Sequence, residues 1–368
     1  MKTSIASPTD RYLSFLRYSL GEGAGDAEAA ADGICWHDLL AFARKQTIEG
    51  VLWRGMQRLG DGVANKPTDD DVLEWMACVT RIRRRNEEMY DTAAFIGKTF
   101  QGEGFRCCIL KGQGNALLYP DPYLRRAGDI DVWLDAPDSE VIAYVRKHHP
   151  QARPCYHHVD FREVRHAAVE VHYRPSFMNN LVANAHLQRY FDAHRDEQFT
   201  HWVSLPDGRG QVAVPTTAFN RIFQMSHISN HFFHKGIGLR QLVDYYYLLR
   251  QGFTPEERRS DVEVLRRCGM YKMATAVMYV MREMLGLEEE YLLVEPNERL
   301  GRKLYREILW AGNFGHHDER AATGAAATAW RGNVQRLYRD VRLLPYFPSE
   351  TLWEPAFRLW HFFWRLRH

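Results

Sequence analysis

The stretch from Leu110 to Asp135, LKGQGNALLYPDPYLRRAGDIDVWLD, concentrates side chains able to do chemistry. At its centre Asp129, Ile130, Asp131 and Val132 alternate acid with aliphatic residue. Successive side chains of a strand point to opposite faces, and residues two apart lie about 6.5–7 Å apart at Cα. Asp129 and Asp131 would therefore stand side by side while Ile130 and Val132 face the core. Two carboxylates so placed repel each other and resist desolvation, and without a counter-charge one of them takes up a proton. A divalent cation between them resolves the conflict. For a lone acid-x-acid pair the plainer reading is an edge strand whose carboxylates face water.

A third acid has the same phasing. In Ala168-Val169-Glu170-Val171-His172 the polar pair Glu170 and His172 shares one face and the valines share the other. If this strand lies beside the first, Glu170 joins the aspartates. Three oxygen ligands with open positions suit Mg²⁺ or Mn²⁺ and leave room for substrate phosphates. Upstream, Lys111-Gly112-Gln113-Gly114 follows directly on an apolar segment that reads as a strand. The lysine and the backbone N–H groups of Gly112 and Gly114 could meet a triphosphate. Arg125 and Arg126 precede Asp129 closely enough to pair with phosphate or with the acids themselves.

Other clusters carry weaker signals. His227, His231 and His234 fall at i, i+4 and i+7 on one helix face, but no HExxH pattern accompanies them, and packing or a place in a substrate cleft is the expected role. Asp244, in GLRQLVDYYYLL, needs a partner among apolar neighbours, and Arg240 at i−4 is the simplest one. His172, His231, Arg240 and Asp244 are candidates to line the substrate cleft. The pairs His157-His158 and His316-His317 read as polar strand or loop residues. Arg81 to Arg85 reads as a solvated helix face. The segment Leu352 to His368 interleaves aromatics and leucines with arginines, which suits a terminal helix packed on its neighbours better than an in-plane membrane helix.

The elements that must hold these residues follow from periodicity. Helical spacing covers residues 9–60, 70–102 and the chain from Thr216 onward, and Asp138 to His149 is a further helix. Strands are expected over Phe105–Leu110, Asp129–Leu134, His157–Val164 and Ala168–Tyr173. The result is an α+β architecture: a helical N-terminal region (1–98), a small mixed-sheet core (99–205) and a helical C-terminal region (206–368). Lys and Arg number 48 against 46 Asp and Glu, so whole-chain charge gives no argument for nucleic acid. The six cysteines show no ligand-like spacing, and no apolar run reaches membrane-spanning length, which points to a cytoplasmic protein with reduced thiols.

At these residues the sequence resembles the uncharacterised bacterial nucleotidyltransferase family of the polymerase-β-like superfamily. The resemblance rests on ILKG at 109–112, on Leu124-Arg125 followed by GDIDVWL at 128–134, on VEVHYRP at 169–175 and on GLRQLVD at 238–244. It implies a nucleotidyltransferase sheet with Asp129 and Asp131 as metal ligands and Glu170 as the third acid. The activity it implies is transfer of a nucleoside monophosphate from an NTP to an unidentified hydroxyl-bearing acceptor, with Mg²⁺ or Mn²⁺ as cofactor. The alternative is an inert nucleotide- or RNA-binding protein on the same fold. Two departures from the family pattern stand out. KGQG replaces the usual Gly-Ser or Gly-Gly helix start, and the third acid is Glu, longer than the commoner Asp and able to act as base as well as ligand.

Overall fold

The computed structural model describes residues 7–21, 25–234, 236–311 and 337–366. The His316-His317 pair lies outside them. Helices α1 (Pro8–Leu20), α2 (Ala27–Ala31), α3 (Trp36–Gln46) and α4 (Glu49–Gln57) lead into the 34-residue α5 (Asp69–Gly102). A capping box between Thr68 and Asp71, with acids filling its first turn, starts α5. The sheet segment then runs β1 (Cys107–Ile109), the short α6 (Gln113–Ala116), β2 (Ile130–Leu134), α7 (Asp138–His148), β3 (His158–Asp160) and β4 (Val169–His172). After α8 (Leu181–Ala193) and α9 (Arg195–Thr200), a hairpin of β5 (Trp202–Ser204) and β6 (Gln211–Ala213) leads to α10 (Thr217–His234). Helices α11 (Leu239–Leu249), α12 (Pro255–Arg267), α13 (Tyr271–Leu285) and α14 (Glu298–Ala311) follow, and a C-terminal helix spans Pro348–Arg365. The fold is α+β with a small mixed sheet.

Sheet order is β1-β2-β4-β3, with β2 and β4 parallel and both outer pairings antiparallel. Period-two alternation divides the side chains of β2 between two cores. Ile130, Val132 and Leu134 join Val169 and Val171 in a cluster with α5 and α7. Trp133 points the other way, into a larger cluster where its ring meets Phe199 and Phe219 at 4.7 and 5.9 Å. Every residue of β2 is buried, so the sheet is covered on both faces rather than half solvated. That larger cluster holds the apolar stripes of α1, α3 and α4 together with those of α10, α11 and α13, so the N-terminal and C-terminal helices share one core.

All four strands of the sheet are shorter than their sequence patterns, and two of the differences bear on the site. The ladder begins at Ile130, whose N–H donates to the Ala168 carbonyl at 2.9 Å, which leaves Asp129 in the loop immediately before β2. The strand expected over His157–Val164 keeps only His158–Asp160. Val164 and Ala167 pair across a tight turn whose central residues, Arg165 and His166, sit at φ 48° and 64°, and a left-handed pair ends any extended run.

Three arginines of the 81–85 run are engaged at the surface. Arg83 pairs with Asp121, Arg84 and Arg85 with Glu88, and Arg85 also donates to the His166 carbonyl. None of the described helices is long and apolar enough to cross a membrane. The C-terminal helix docks one face, stacking Phe357 on Phe177 at 4.9 Å, while Leu352, Leu359, Phe362 and Phe363 stay exposed on the other.

Glycine is required at Gly50 in α4, where an added Cβ would overlap the carbonyl oxygen of Leu124. Alanine stabilises most helix interiors relative to glycine by about 1 kcal/mol, yet Gly50→Ala is expected to destabilise by about 1–3 kcal/mol through overpacking, measured by denaturant unfolding. The docking of the C-terminal helix gives a second test. Glu350 accepts the Asn179 N–H at 2.9 Å, its other oxygen has no partner, and burial pushes its carboxyl up to about 7 despite the backbone hydrogen bonds. Its folded value lies above the ordinary 4.5, so its contribution is complete below that pH and is lost as pH rises through about 7. Thermal melts of Glu350→Gln should therefore show a larger gain over wild type at pH 8 than at pH 5, and equal gains would remove the linkage.

Candidate metal and nucleotide site

Parallel pairing sets Asp131 opposite Glu170 and Trp133 opposite His172. Because residues in register across adjacent strands point the same way, Asp131, Glu170 and His172 emerge on one face of the sheet. The Nε2 of His172 lies 3.0 Å from Asp131 Oδ1 and 3.6 Å from Glu170 Oε2. Lys111, just past β1, reaches in from the neighbouring edge, with Nζ 3.1 Å from Asp131 Oδ1. Asp131 is only 1% exposed, and its Oδ2 has no hydrogen-bond partner.

The electrostatics follow from this crowding. Burial would pull Lys111 down, but Asp131, Asp129 and Glu170 outweigh it and hold the ammonium charged. Burial likewise opposes the charged form of His172, yet its hydrogen bonds to Asp131 and Glu170 raise it to about 9. Glu170, which burial alone would raise, is drawn down to about 2 by the His172 hydrogen bond and by His158 and Lys111. A carboxyl lowered in this way stays ionised, which suits a ligand. His227 Nε2 lies 3.5 Å from Lys111 Nζ, and burial followed by the Lys111 charge drives its pKa far down, so this imidazole is neutral.

Among the described residues, one group of metal-capable donors lying within 4.8 Å of one another unites Asp131 with Glu170 and His172, and the others bring His157, His158 and Asp160 to the same cluster. None of them includes Asp129. That carboxylate instead lines the adjoining cleft with Lys111, Gly112, Arg125, Arg240 and Asp244. The cleft is walled by α10 and α11, and Asn115 from α6 braces it by accepting hydrogen bonds from Asn220 and Gln224, each at 3.1 Å.

Asp244 is partnered differently from expectation. Arg125, not Arg240, grips it in a bidentate pair, Nε to Oδ1 at 2.7 Å and Nη2 to Oδ2 at 2.8 Å, and Tyr119 donates its hydroxyl to Oδ1 at 2.6 Å. The fork geometry of guanidinium on carboxylate, far apart in sequence, outcompetes the single contact available at i−4. Arg240 turns its guanidinium to the Arg126 carbonyl at 3.2 Å, beside Gly128.

The remaining sequence candidates divide. Gly112 lines the cleft and has φ 63°, a conformation that favours glycine. Gly114 packs against Val214, where an added Cβ would come within 3.0 Å of the valine. Arg126 does not line the cleft and pairs with the buried Glu49 of α4. His227 and His231 touch, ring to ring, at 4.2 Å, whereas His234 caps the Asn230 carbonyl at 2.8 Å and lies against Phe177. The three do not form a donor group among the described residues. Sequence reasoning passed over His157 and His158, which stand beside the acids: His158 Nε2 is 3.8 Å from Glu170 Oε2 and 3.7 Å from Asp160 Oδ1. The two-residue spacing of His158 and Asp160, the same phase that exposed Glu170 and His172, was the available signal.

A family described as uncharacterised nucleotidyltransferase matches residues 32–286. The chain belongs to that family. Among solved structures it is similar to an antigenic nucleotidyltransferase-like protein from Paracoccidioides brasiliensis, at 9% identity and a TM-score of 0.32, over 59% of this chain and 97% of that one. No curated protein matches the chain.

The Arg125–Asp244 pair makes its own prediction. Removing one partner of a buried ion pair strands the other charge, so Asp244→Ala is expected to cost about 3–5 kcal/mol in denaturant unfolding. The double variant Arg125→Met/Asp244→Leu should lose less than Asp244→Ala alone, and a larger loss would show that the pair is not a self-contained unit.

Proposed function

We propose that this chain is a metal-dependent nucleotidyltransferase that moves a nucleoside monophosphate from an NTP to a hydroxyl-bearing acceptor. The observation that carries the reading is the unpartnered, buried Oδ2 of Asp131 beside Glu170 in parallel register. A buried carboxylate oxygen with nothing to bind is costly, and a cation between the two strands satisfies it. Asp131 and Glu170 would hold the cation, with Asp129, which lines the adjoining cleft, as a further oxygen ligand. A bound divalent ion supplies charge neutralisation at the α-phosphate and the pyrophosphate.

The protein's own groups do the positioning. Lys111 and Arg240 line the cleft and compensate the triphosphate charge, and the backbone turn at Gly112 admits the phosphates closely. Arg125 acts indirectly, fixing Asp244 and the loop that carries Asp129. The acceptor oxygen attacks the α-phosphorus in line, the bond to the β-phosphate oxygen breaks, pyrophosphate leaves with the electron pair, and the acceptor proton passes to solvent.

A second reading has a specific observation behind it. Lys111 and His172 already place positive charge on Asp131, an arrangement that would also let an inert nucleotide-binding protein keep its acids without a metal. Melting the protein with each of the four ribonucleoside triphosphates, with and without Mg²⁺ or Mn²⁺, separates the two. A metal-dependent NTP shift is expected in the wild type, worth about 2.7 kcal/mol at a hundredfold excess over Kd, and none in Asp129→Asn/Asp131→Asn. An NTP shift that needs no metal and survives in the double variant would favour the inert protein.

A further inference from the structure

The imidazole of His172 is oriented from both sides. Its Nδ1 faces the Arg174 carbonyl at 3.2 Å, and since a carbonyl only accepts, Nδ1 carries a proton. The other ring nitrogen, Nε2, is aimed at Asp131 and Glu170, at 3.0 and 3.6 Å, and a cation there would take the place of its proton. A ring nitrogen pinned by a backbone carbonyl while the other points into a carboxylate cluster is how proteins hold an imidazole ligand.

The spacing fits as well. Cations with bonds of about 2.1 Å set neighbouring donors about 3.0 Å apart in octahedral and about 3.4 Å apart in tetrahedral geometry. The observed nitrogen–oxygen separations fall in and just above that range, all three donor atoms lie within 4.8 Å of one another, and the second oxygen of Asp131 is unused.

Behind Glu170 stand two more imidazoles. His158 Nε2 is 3.8 Å from the Glu170 carboxylate, and its Nδ1 lies 2.9 Å from His157 Nε2. A centre built on carboxylates alone, the preference of Mg²⁺, has no use for nitrogen donors at this depth, whereas imidazole favours the later first-row divalent ions.

We propose that this centre binds a nitrogen-ligated transition cation of the Co²⁺ or Zn²⁺ kind in preference to Mg²⁺, with His172 Nε2 as a ligand beside Asp131 and Glu170, a selectivity that rests on the cation-binding reading above. His158 is a positioning residue that steadies Glu170 from the β3 side.

The experiment uses the full chain stripped of metal by chelation. Co²⁺ is added while its visible absorption is followed, Cu²⁺ is used as a probe for nitrogen hyperfine coupling in electron paramagnetic resonance, and Mg²⁺ and Zn²⁺ are titrated calorimetrically. Wild type is expected to bind one Co²⁺ with ligand-field bands that Zn²⁺ abolishes and excess Mg²⁺ does not, and to show nitrogen coupling. His172→Ala should weaken Zn²⁺ and Co²⁺ by on the order of tenfold or more and lose nitrogen coupling, while Mg²⁺ affinity changes less. Asp131→Asn should weaken all of them. A far-ultraviolet spectrum and melt of each variant, with His172→Gln as a shape-conserving control, separates ligand loss from unfolding. Wild type binding Mg²⁺ as tightly as Zn²⁺, or unchanged nitrogen coupling in His172→Ala, overturns the selectivity but leaves the cation reading standing. Binding of no cation at all overturns both.

Discussion

Two carboxylates held in register on adjacent parallel strands, with one oxygen sealed from water, impose a constraint that much of the surrounding chain answers. At such depth the repulsion of Asp131 and Glu170 is screened far less than at a surface, so positive charge must be brought to them. The segment after β1 delivers Lys111, the end of β4 delivers His172, and β3 adds His158 on the far side of Glu170. The helical flanks contribute mainly by walling this cluster off, since α10 and α11 form the cleft and place the neutral His227 beside Lys111.

A second buried charge pair fixes the approach to the acids. Arg125 belongs to the loop that ends in Asp129, and its bidentate grip on Asp244 anchors that loop to α11. On the opposite side, Gly50 of α4 lies against the Leu124 carbonyl, and Arg126 reaches the buried Glu49. Three successive residues, Leu124 to Arg126, thus tie the strand's entry to helices from both ends of the sequence. Rigid supports of this kind hold the entry to β2, and Asp129 with it, in one place.

What the sequence made legible was what local periodicity encodes. The alternation in Asp129–Val132 and Val169–His172 showed which residues share a face within each strand, while the parallel pairing that brings Asp131 beside Glu170 was only a condition, and helical spacing marked α5 almost to the residue. Long-range pairings were not legible. Arg125 and Asp244 are 119 positions apart, and a search for partners along one helix finds only Arg240. Strand length was overestimated at His157–Val164, where the ladder with β4 stops at Asp160 and only an isolated Val164–Ala167 bridge follows. No motif marks His158 of β3 or its neighbour His157, although His158 and Asp160 share the two-residue phase of Glu170 and His172.

The common core of α1, α3 and α4 with α10, α11 and α13 bears on how the chain is made. As a polypeptide emerges from its N-terminus, α1, α3 and α4 can pack on one another and on α5, but the face of α1 that meets α13 waits for more than two hundred further residues. The metal-capable sheet pairs early and over short separations, but its outer wall arrives late. During that interval part of the apolar surface of α1 is open to chaperones. A late truncation would therefore expose the beginning of the protein as surely as it removes the end.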